Sequence, residues 1–438
     1  MDTSRAPSGL RWIIAIAATT LIFDGYDLVV YGTMVPTLLR DPSQLGLVTP
    51  AQAGALGSYA LVGVMVGALL SGAIGDRVGR RRIMLVNLVW FSAGMGLTAL
   101  APNVTTFGVL RFATGIGIGA LLATVGALVA EFAPPDRRNF YNAIVYSGVP
   151  TGGVLAAVLA LVAPVGWRGL FLIGALPLVV LLPAALLRLP ESPKWLIARG
   201  REQHAREVCE RIGVALPAAD STADPAVTQK VGFAALASRR YAVATLLLGM
   251  MSFSALLLTY GLNTWLPEIM GRNGYGKSYS LLFLLALNGG AILGGLTASR
   301  VADRLGPKRV IAVTFALAAL SLTLLTAGLP LEVLLAFVAV AGTGTLGTQV
   351  LIYGFVSNYY DTTARAAGVA WCAGFGRLGG IGGPVIGGAL VGAGVPPLYA
   401  FYVFAGVAIA GLLVTAFVPR RATGSGVPVG VAPSVAHT

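Results

Sequence analysis

Apolar residues in this chain come in long stretches separated by short polar breaks. Stretches of about 20 or more, enough to cross a bilayer as helices, run over 12–39, 52–74, 83–101, 106–132, 139–163 and 169–189. They resume over 241–266, 279–300, 309–328, 331–357, 365–392 and 397–418. The pattern predicts an all-α polytopic membrane protein with twelve transmembrane helices in two six-helix bundles, residues 1–189 and 241–420. Between them, 190–240 has the highest charge density and reads as a cytoplasmic loop in which REQHAREVCERIG forms a short amphipathic helix. The tail, 421–438, is rich in Gly, Pro, Val and Ser and is expected to be disordered. The first stretch is too long and too acidic for a signal peptide, so it is expected to remain as a helix.

The two bundles are internal copies. GDRVGRRR at 75–82 aligns with ADRLGPKR at 302–309, an offset of 227 residues (Asp303 against Asp76). Without gaps, that offset also takes Gly67 to Gly294, Gly115 to Gly342, Gly117 to Gly344, Arg138 to Arg365, and Gly152 and Gly153 to Gly379 and Gly380. Parallel repeats of this kind place a substrate site near the midplane between the halves.

Composition agrees with a membrane location: 56% of residues are hydrophobic, 11% are charged, and the mean hydropathy is +0.82. The 58 glycines suit helices whose backbones approach closely in lipid. A net charge of +13 could suggest nucleic acid, but the basic residues follow the membrane. Arg40, Arg168, Arg272 and Lys277 fall on the outer side, and Arg111 and Arg377 within spans, which leaves 24 of 30 facing inward. Among these are Arg5, Arg11, the 77–82 cluster, Arg137, Arg138, Arg300, Arg304, Lys308, Arg309, Arg365, Arg420 and Arg421. This bias predicts a multi-pass protein of the cytoplasmic (inner) membrane with both termini cytoplasmic, and it argues against nucleic acid as a partner. Cys209 and Cys372 offer neither a disulfide framework nor a metal site, and no cofactor is implied. His204 and His437 lie outside the spans, so neither is an intramembrane proton carrier.

Charges inside the spans carry the chemistry. Asp24 and Asp27, in FDGYDLVV, together forfeit about 5–7 kcal/mol of membrane insertion. At i,i+3 they share a helix face that Tyr31 extends by a turn, while Tyr26 points away. Two carboxylates so close together and so deep favour holding a proton, as a proton carrier must. Arg111, followed by Gly115 and Gly119, sits where a small-residue stripe admits another helix, and Asp27 is its expected partner; a purely structural ion pair is the other reading. Arg377, in GFGRLGGIGGP, lies near the midplane of the second half without an acid there to neutralise it. Its planar fork suits a carboxylate, with bonds to backbone carbonyls as the alternative. Two acids against two bases is a balanced core: adding one organic anion and one proton keeps it balanced, which favours symport.

The repeated G-x-x-x-D-R-x-G-R-R-R motif, its copy after helix eight and the count of helices resemble the major facilitator superfamily. That resemblance implies the major facilitator fold, working as a monomer by alternating access. It also implies a cytoplasmic gate of Asp76, Arg80 and Glu131, repeated by Asp303 and Arg304, with Pro307 replacing the arginine so that this copy is weaker. DGYDLVVYGTMVP in helix one, YGLNTWLP in helix seven, Arg111 with Glu131 in helix four and the glycines around Arg377 resemble the aromatic acid:proton symporter family. That likeness implies that Asp24 and Asp27 serve proton-coupled uptake and that Arg111, Glu131 and Arg377 serve transport of benzoate or a hydroxybenzoate.

For the ring, the candidates facing a cavity are Tyr31, Tyr260, Trp265, Tyr353 and Trp371, with Asn263, Asn288 and Gln349 able to bond a hydroxyl or carboxylate. GVPTGG at 148–153 resembles a motif of proton-driven antiporters that export drugs or aromatic compounds, which is the chief rival reading. PESPKWL at 190–196 is shared with sugar and organic-ion porters, although VPRRATG stands where sugar porters usually carry P-E-T-K-G. GTGTLG at 342–347 fits a nucleotide-loop spacing but follows no strand, so glycine packing explains it. Asn103 begins a formal glycosylation signal in an outer loop. No catalytic constellation or soluble domain suggests an enzyme.

Overall fold

A computed structural model describes residues 8–134, 137–214, 216 and 233–419, without the side chains of 8, 72–76, 138–139 and 362–363. Arg5, Arg420, Arg421, the tail from 421 and the loop residues 215 and 217–232 lie outside the described residues, as do the side chains of Asp76 and Arg138.

The described chain is helical, as lipid requires of a backbone that must satisfy its own hydrogen bonds. The first half contains α1 (Ser8–Arg40), α2 (Pro50–Val78), α3 (Arg80–Ala99), α4 (Val104–Phe132), α5 (Arg138–Tyr146), α6 (Gly148–Val162), α7 (Gly166–Ile173) and α8 (Leu181–Arg188). The loop region contributes α9 (Pro193–Ala198), α10 (Glu202–Ile212) and α11 (Phe233–Leu236). The second half contains α12 (Ala242–Arg272), α13 (Lys277–Leu305), α14 (Pro307–Leu324), α15 (Leu331–Gly342), α16 (Thr348–Tyr359), α17 (Thr362–Gly392) and α18 (Tyr399–Phe417). Joining α5 to α6, α7 to α8 and α15 to α16, eleven segments are long and apolar enough to cross a membrane. The remaining one, α17, is 31 residues long; its glycines and Arg377 hold its hydropathy down. The twelve expected spans are therefore all present as helices.

Three spans are interrupted. The fifth breaks at Ser147, the sixth passes through a short 3-10 turn at Leu176–Leu178, and the tenth contains a π turn at Thr343–Gly347. Around the π turn, Thr345 Oγ1 donates to the Gly342 carbonyl and Thr348 Oγ1 to the Thr343 carbonyl at 2.9 Å, which spends backbone groups that the break frees. The glycines of 342–347 meet Leu287, Ala318 and Gly295, so this segment is packing.

Close backbone approach recurs in both halves. A Cβ at Gly63 would strike the Phe112 carbonyl of α4, and one at Gly115 the Ala60 carbonyl of α2. At the same offset, Gly290 faces the Ala339 carbonyl of α15, and Gly342 faces the Leu287 carbonyl of α13. The motif glycines also match: Gly79 has φ 101° and Gly306 φ 88°, a conformation that favours glycine, at the sharp junctions α2/α3 and α13/α14.

The basic clusters gather at one end of the molecule, called here the basic face. There α10 buries Ala205, Val208, Cys209 and Ile212, with Ile212 against Gly9 of α1, so the predicted amphipathic helix is present. Cys209 and Cys372 are buried and unpaired. At the opposite face Arg168 ties loops together, donating to the carbonyls of Ala99 at 2.7 Å and Ala101 at 3.1 Å. Asn103 accepts a bond from the Thr106 amide at 2.9 Å and caps α4, a structural use that the glycosylation signal obscured.

The halves meet along α1 with α12, α2 with α17, and α6 with α13. Toward the opposite face, Gly32 lies on the Asn263 carbonyl, Gly54 on the Pro384 carbonyl, and Ser58 Oγ donates to the Ile381 carbonyl at 2.7 Å. At the basic face, the ion pairs Arg80–Glu131 and Arg240–Asp361 each stay within one half.

Candidate functional site

The face of α1 predicted to look inward does so. Gly25 lies against the Val149 carbonyl and Gly152 of α6 against the Ile22 carbonyl, so α1 and α6 touch backbone to backbone. This explains the glycine between the two acids and gives GVPTGG a packing role. Tyr26 points away, donating to the Leu170 carbonyl at 2.7 Å. Asp27 and Arg111 are 3% and 2% exposed and form a direct ion pair through Oδ1 and Nη1. The stripe that admits Arg111 is used by α2, since Gly119 faces the Val64 carbonyl much as Gly115 faces that of Ala60. The guanidinium carbon of Arg111 lies 5.3 Å from the Tyr31 ring centre and 5.7 Å from that of Phe171, and its Nε has no partner. Tyr31 is anchored by a bond from its hydroxyl to the Ala53 carbonyl at 2.5 Å.

Asp24 is half-buried one turn away, within electrostatic reach of Arg377 from the second half. Arg377 Nη1 donates to the Tyr260 hydroxyl at 2.9 Å, and the charge also influences Tyr353. Sequence reasoning missed Tyr146, the last residue of α5, which lies within electrostatic reach of Tyr353, Arg377 and Asp24. A search of the spans for polar groups one turn from GVPTGG would have found it. A narrow cleft between the halves is lined by Asp24, Asp27, Tyr31 and Arg111 from one side and Tyr260 and Thr264 from the other. Thus five expected site residues share one cleft, and Arg377 adjoins it through Tyr260.

Other candidates are spent elsewhere. Asn288 Nδ2 donates to Asn263 Oδ1 at 2.8 Å, and the Asn263 amide donates to the Thr259 carbonyl; both residues are buried and lie outside the cleft lining. Trp265 donates to the Pro384 carbonyl at 2.8 Å and is fully buried between α12 and α17. Trp371 donates to the Thr245 carbonyl at 2.9 Å and stacks on Phe375. A buried polar tip needs a partner, and here backbone and amide partners supply it. Gln349 is different: its Nε2 donates to Ser252 Oγ at 2.9 Å near Tyr353, but its buried Oε1 has no partner.

Of the expected gate, Arg80 Nε lies 3.5 Å from Glu131 Oε1, and Ser192 Oγ donates to the other Glu131 oxygen. Ser192 belongs to PESPKWL, whose Glu191 accepts from the Arg81 amide at 3.0 Å, so that motif fastens the α2/α3 junction. Asp303 and Arg304 stand exposed at the end of α13 with no ion pair between them. One acid of the second half was not counted in the sequence: Glu268 is buried in α12, but it is held by Arg40 and Arg272 and leaves Arg377 unneutralised in its own half.

Comparison with known proteins agrees with this architecture. Residues 13–422 match the family described as sugar (and other) transporter. The chain is 32% identical to the benzoate transport protein of Acinetobacter baylyi, over 96% of this chain and 91% of that protein. It is 35% identical to the gentisate transporter of Corynebacterium glutamicum, over 85% and 79% respectively. Its fold is similar to the inward open conformation of the xylose transporter XylE from E. coli, with a TM-score of 0.72 and 18% identity, covering 95% of this chain and 98% of that one. The chain belongs to the sugar (and other) transporter family of the major facilitator superfamily, as a relative of transporters of aromatic acids.

Proposed function

We propose that this protein imports an aromatic carboxylate, benzoate or a hydroxybenzoate, together with H⁺ by alternating access. The observation that carries the proposal is the four-charge core. Asp27 is committed to Arg111, whereas Arg377 is held by a neutral hydroxyl and keeps donors for an incoming anion. A carboxylate placed on Arg377 would be repelled by Asp24 unless that acid held a proton, so loading the anion and loading the proton favour each other. Asp27 with Arg111 is the coupling pair, Asp24 its modulator, and Tyr260 with Tyr353 orient the Arg377 fork. Gln349 Oε1, buried and unpartnered, suits a ring hydroxyl as donor, which favours hydroxylated rings. The names benzoate and gentisate among the relatives support the substrate class.

The basic face is assigned to the cytoplasm of the inner membrane by charge bias, and the packing of the halves at the opposite face then corresponds to an inward-facing state. Residues 1–189 and 241–420 are the two moving bundles of a monomer, and Asp76, Arg80, Glu131, Asp303 and Arg304 serve the cytoplasmic gate. The test is uptake of labelled benzoate, 4-hydroxybenzoate, gentisate and xylose into proteoliposomes with and without a pH gradient. Acid uptake that rises severalfold with the gradient is the expected result. Acid uptake indifferent to the gradient removes the proton, acid extrusion driven by it favours the antiporter, and uptake of xylose alone favours a sugar porter.

A further inference from the structure

Beyond the cleft just described, one turn past Thr264 on α12, α1 and α12 are tied together by charge. Glu268 is 1% exposed, yet it is ionisable and lies in the final turns of α12. Both its oxygens are occupied: Oε1 accepts from Arg272 Nε at 2.6 Å, and Oε2 from Arg40 Nη2 at 3.2 Å. The two arginines differ in what they belong to. Arg272 is one turn along the same helix, so its bond survives any rigid movement of α12. Arg40 is the last residue of α1, in the other half, and its bond cannot survive separation of α1 from α12.

The surroundings are arranged for this contact. Gly271 leaves room for the Arg40 guanidinium, since a Cβ there would sit 3.2 Å from Nη2. Pro36 and Pro267, each inside its helix, lie within one turn of Arg40 and Glu268, and each removes one backbone bond where the helices would bend apart. Beside the pair a second cleft is lined by Thr33, Thr37, Lys277 and Ser280 together with Arg40 itself.

We propose that Arg40 and Glu268 form a charge clamp that holds this face shut and must break each time it opens, while Arg272 retains Glu268 in both states. The retained partner gives the device its economy. Glu268 is never left as a buried unpaired charge, so opening breaks one partly exposed contact and strands nothing. Arg40 is 56% exposed, so its charge passes to water on release.

The test uses the full-length chain in membrane vesicles, with Ala60→Cys in the central cleft as reporter; the native cysteines are buried and give a low background. A membrane-impermeant methanethiosulfonate reagent is applied from the Arg40 side. Arg40→Ala, at an exposed position, is expected to speed labelling of the reporter by about 3- to 10-fold, and Glu268→Gln to do the same. Arg272→Ala, which leaves the clamp its cross-half partner, is expected not to speed it. Labelling unchanged in a folded Arg40→Ala variant, or accelerated equally by Arg272→Ala, overturns the proposal. No substrate enters the measurement, so the clamp stands or falls apart from the identity of the cargo.

Discussion

Replacing Asp27 by Asn separates a coupling acid from a strut. In the folded protein Arg111 is almost fully buried, and among the described residues Asp27 is its acidic partner. Removing one member of a buried pair costs about 3–5 kcal/mol, because the other charge is left uncompensated. The rings of Tyr31 and Phe171, 5.3 and 5.7 Å from the guanidinium carbon, retain part of the stabilisation. With about 1 kcal/mol kept by cation–π attraction, the single variant should lose about 2–4 kcal/mol. The double variant Asp27→Asn/Arg111→Gln removes both charges and should regain most of that loss. Thermal melting in one detergent reads the stability, and gradient-driven uptake in proteoliposomes reads the coupling. The expected outcome is a double variant that is folded and stable but takes up no acid against a gradient. Restored gradient-driven uptake in the double variant would refute the coupling role and leave a strut, and an undiminished melting temperature in the single variant would refute the buried-pair argument.

Two further outcomes follow from the same geometry. Arg377→Ala should weaken substrate binding about 10- to 150-fold, the worth of hydrogen bonds to a charged group, and Arg377→Lys should recover little of it because an ammonium lacks the planar fork; equilibrium binding of labelled 4-hydroxybenzoate checks both. Gly25→Val drives a side chain into the Val149 carbonyl of α6 and should destabilise by at least about 1–3 kcal/mol, seen as a lower monodisperse fraction on gel filtration, and a variant as well behaved as the parent would contradict the backbone contact.

The helices and the two halves were legible in the sequence because a bilayer demands long apolar segments and the duplicated motif keeps its spacing. The charged core was legible for a related reason: Asp24, Asp27, Arg111 and Arg377 are expensive where they lie, so their presence asks for a use. Aromatic and amide residues carried less information. Lipid tails are as apolar as a leucine core, so hydropathy does not tell a cleft-facing Tyr260 from a tryptophan wedged between helices, such as Trp265. Asn263 and Asn288 looked like ligand groups because each is polar in a span; 25 positions apart on neighbouring helices, they satisfy one another, a pairing that spacing alone does not disclose. Tyr146 carries no charge, so it lacks the insertion cost that marks Asp24 and Arg377, and hydropathy does not set it apart. Arg40 stood out only as an exception to the charge bias and Glu268, just past YGLNTWLP, was not counted at all; only the folded chain brings them together.

The glycine notches shared by α2/α4 and α13/α15 bear on how such a molecule could arise. At the duplicated offset, the positions matching Asp24, Asp27 and Arg111 are Met251, Ser254 and Val338, and the one matching Arg377 is Pro150. The scaffold was inherited twice while the charges were placed once each, acids and their arginine on one copy and the lone arginine on the other. Each copy by itself would carry an incomplete set, so ancestral halves pairing as identical twins could have shared the frame but not this chemistry. The copies differ in where the four charges lie, and the symmetry supplies only the place where the halves meet.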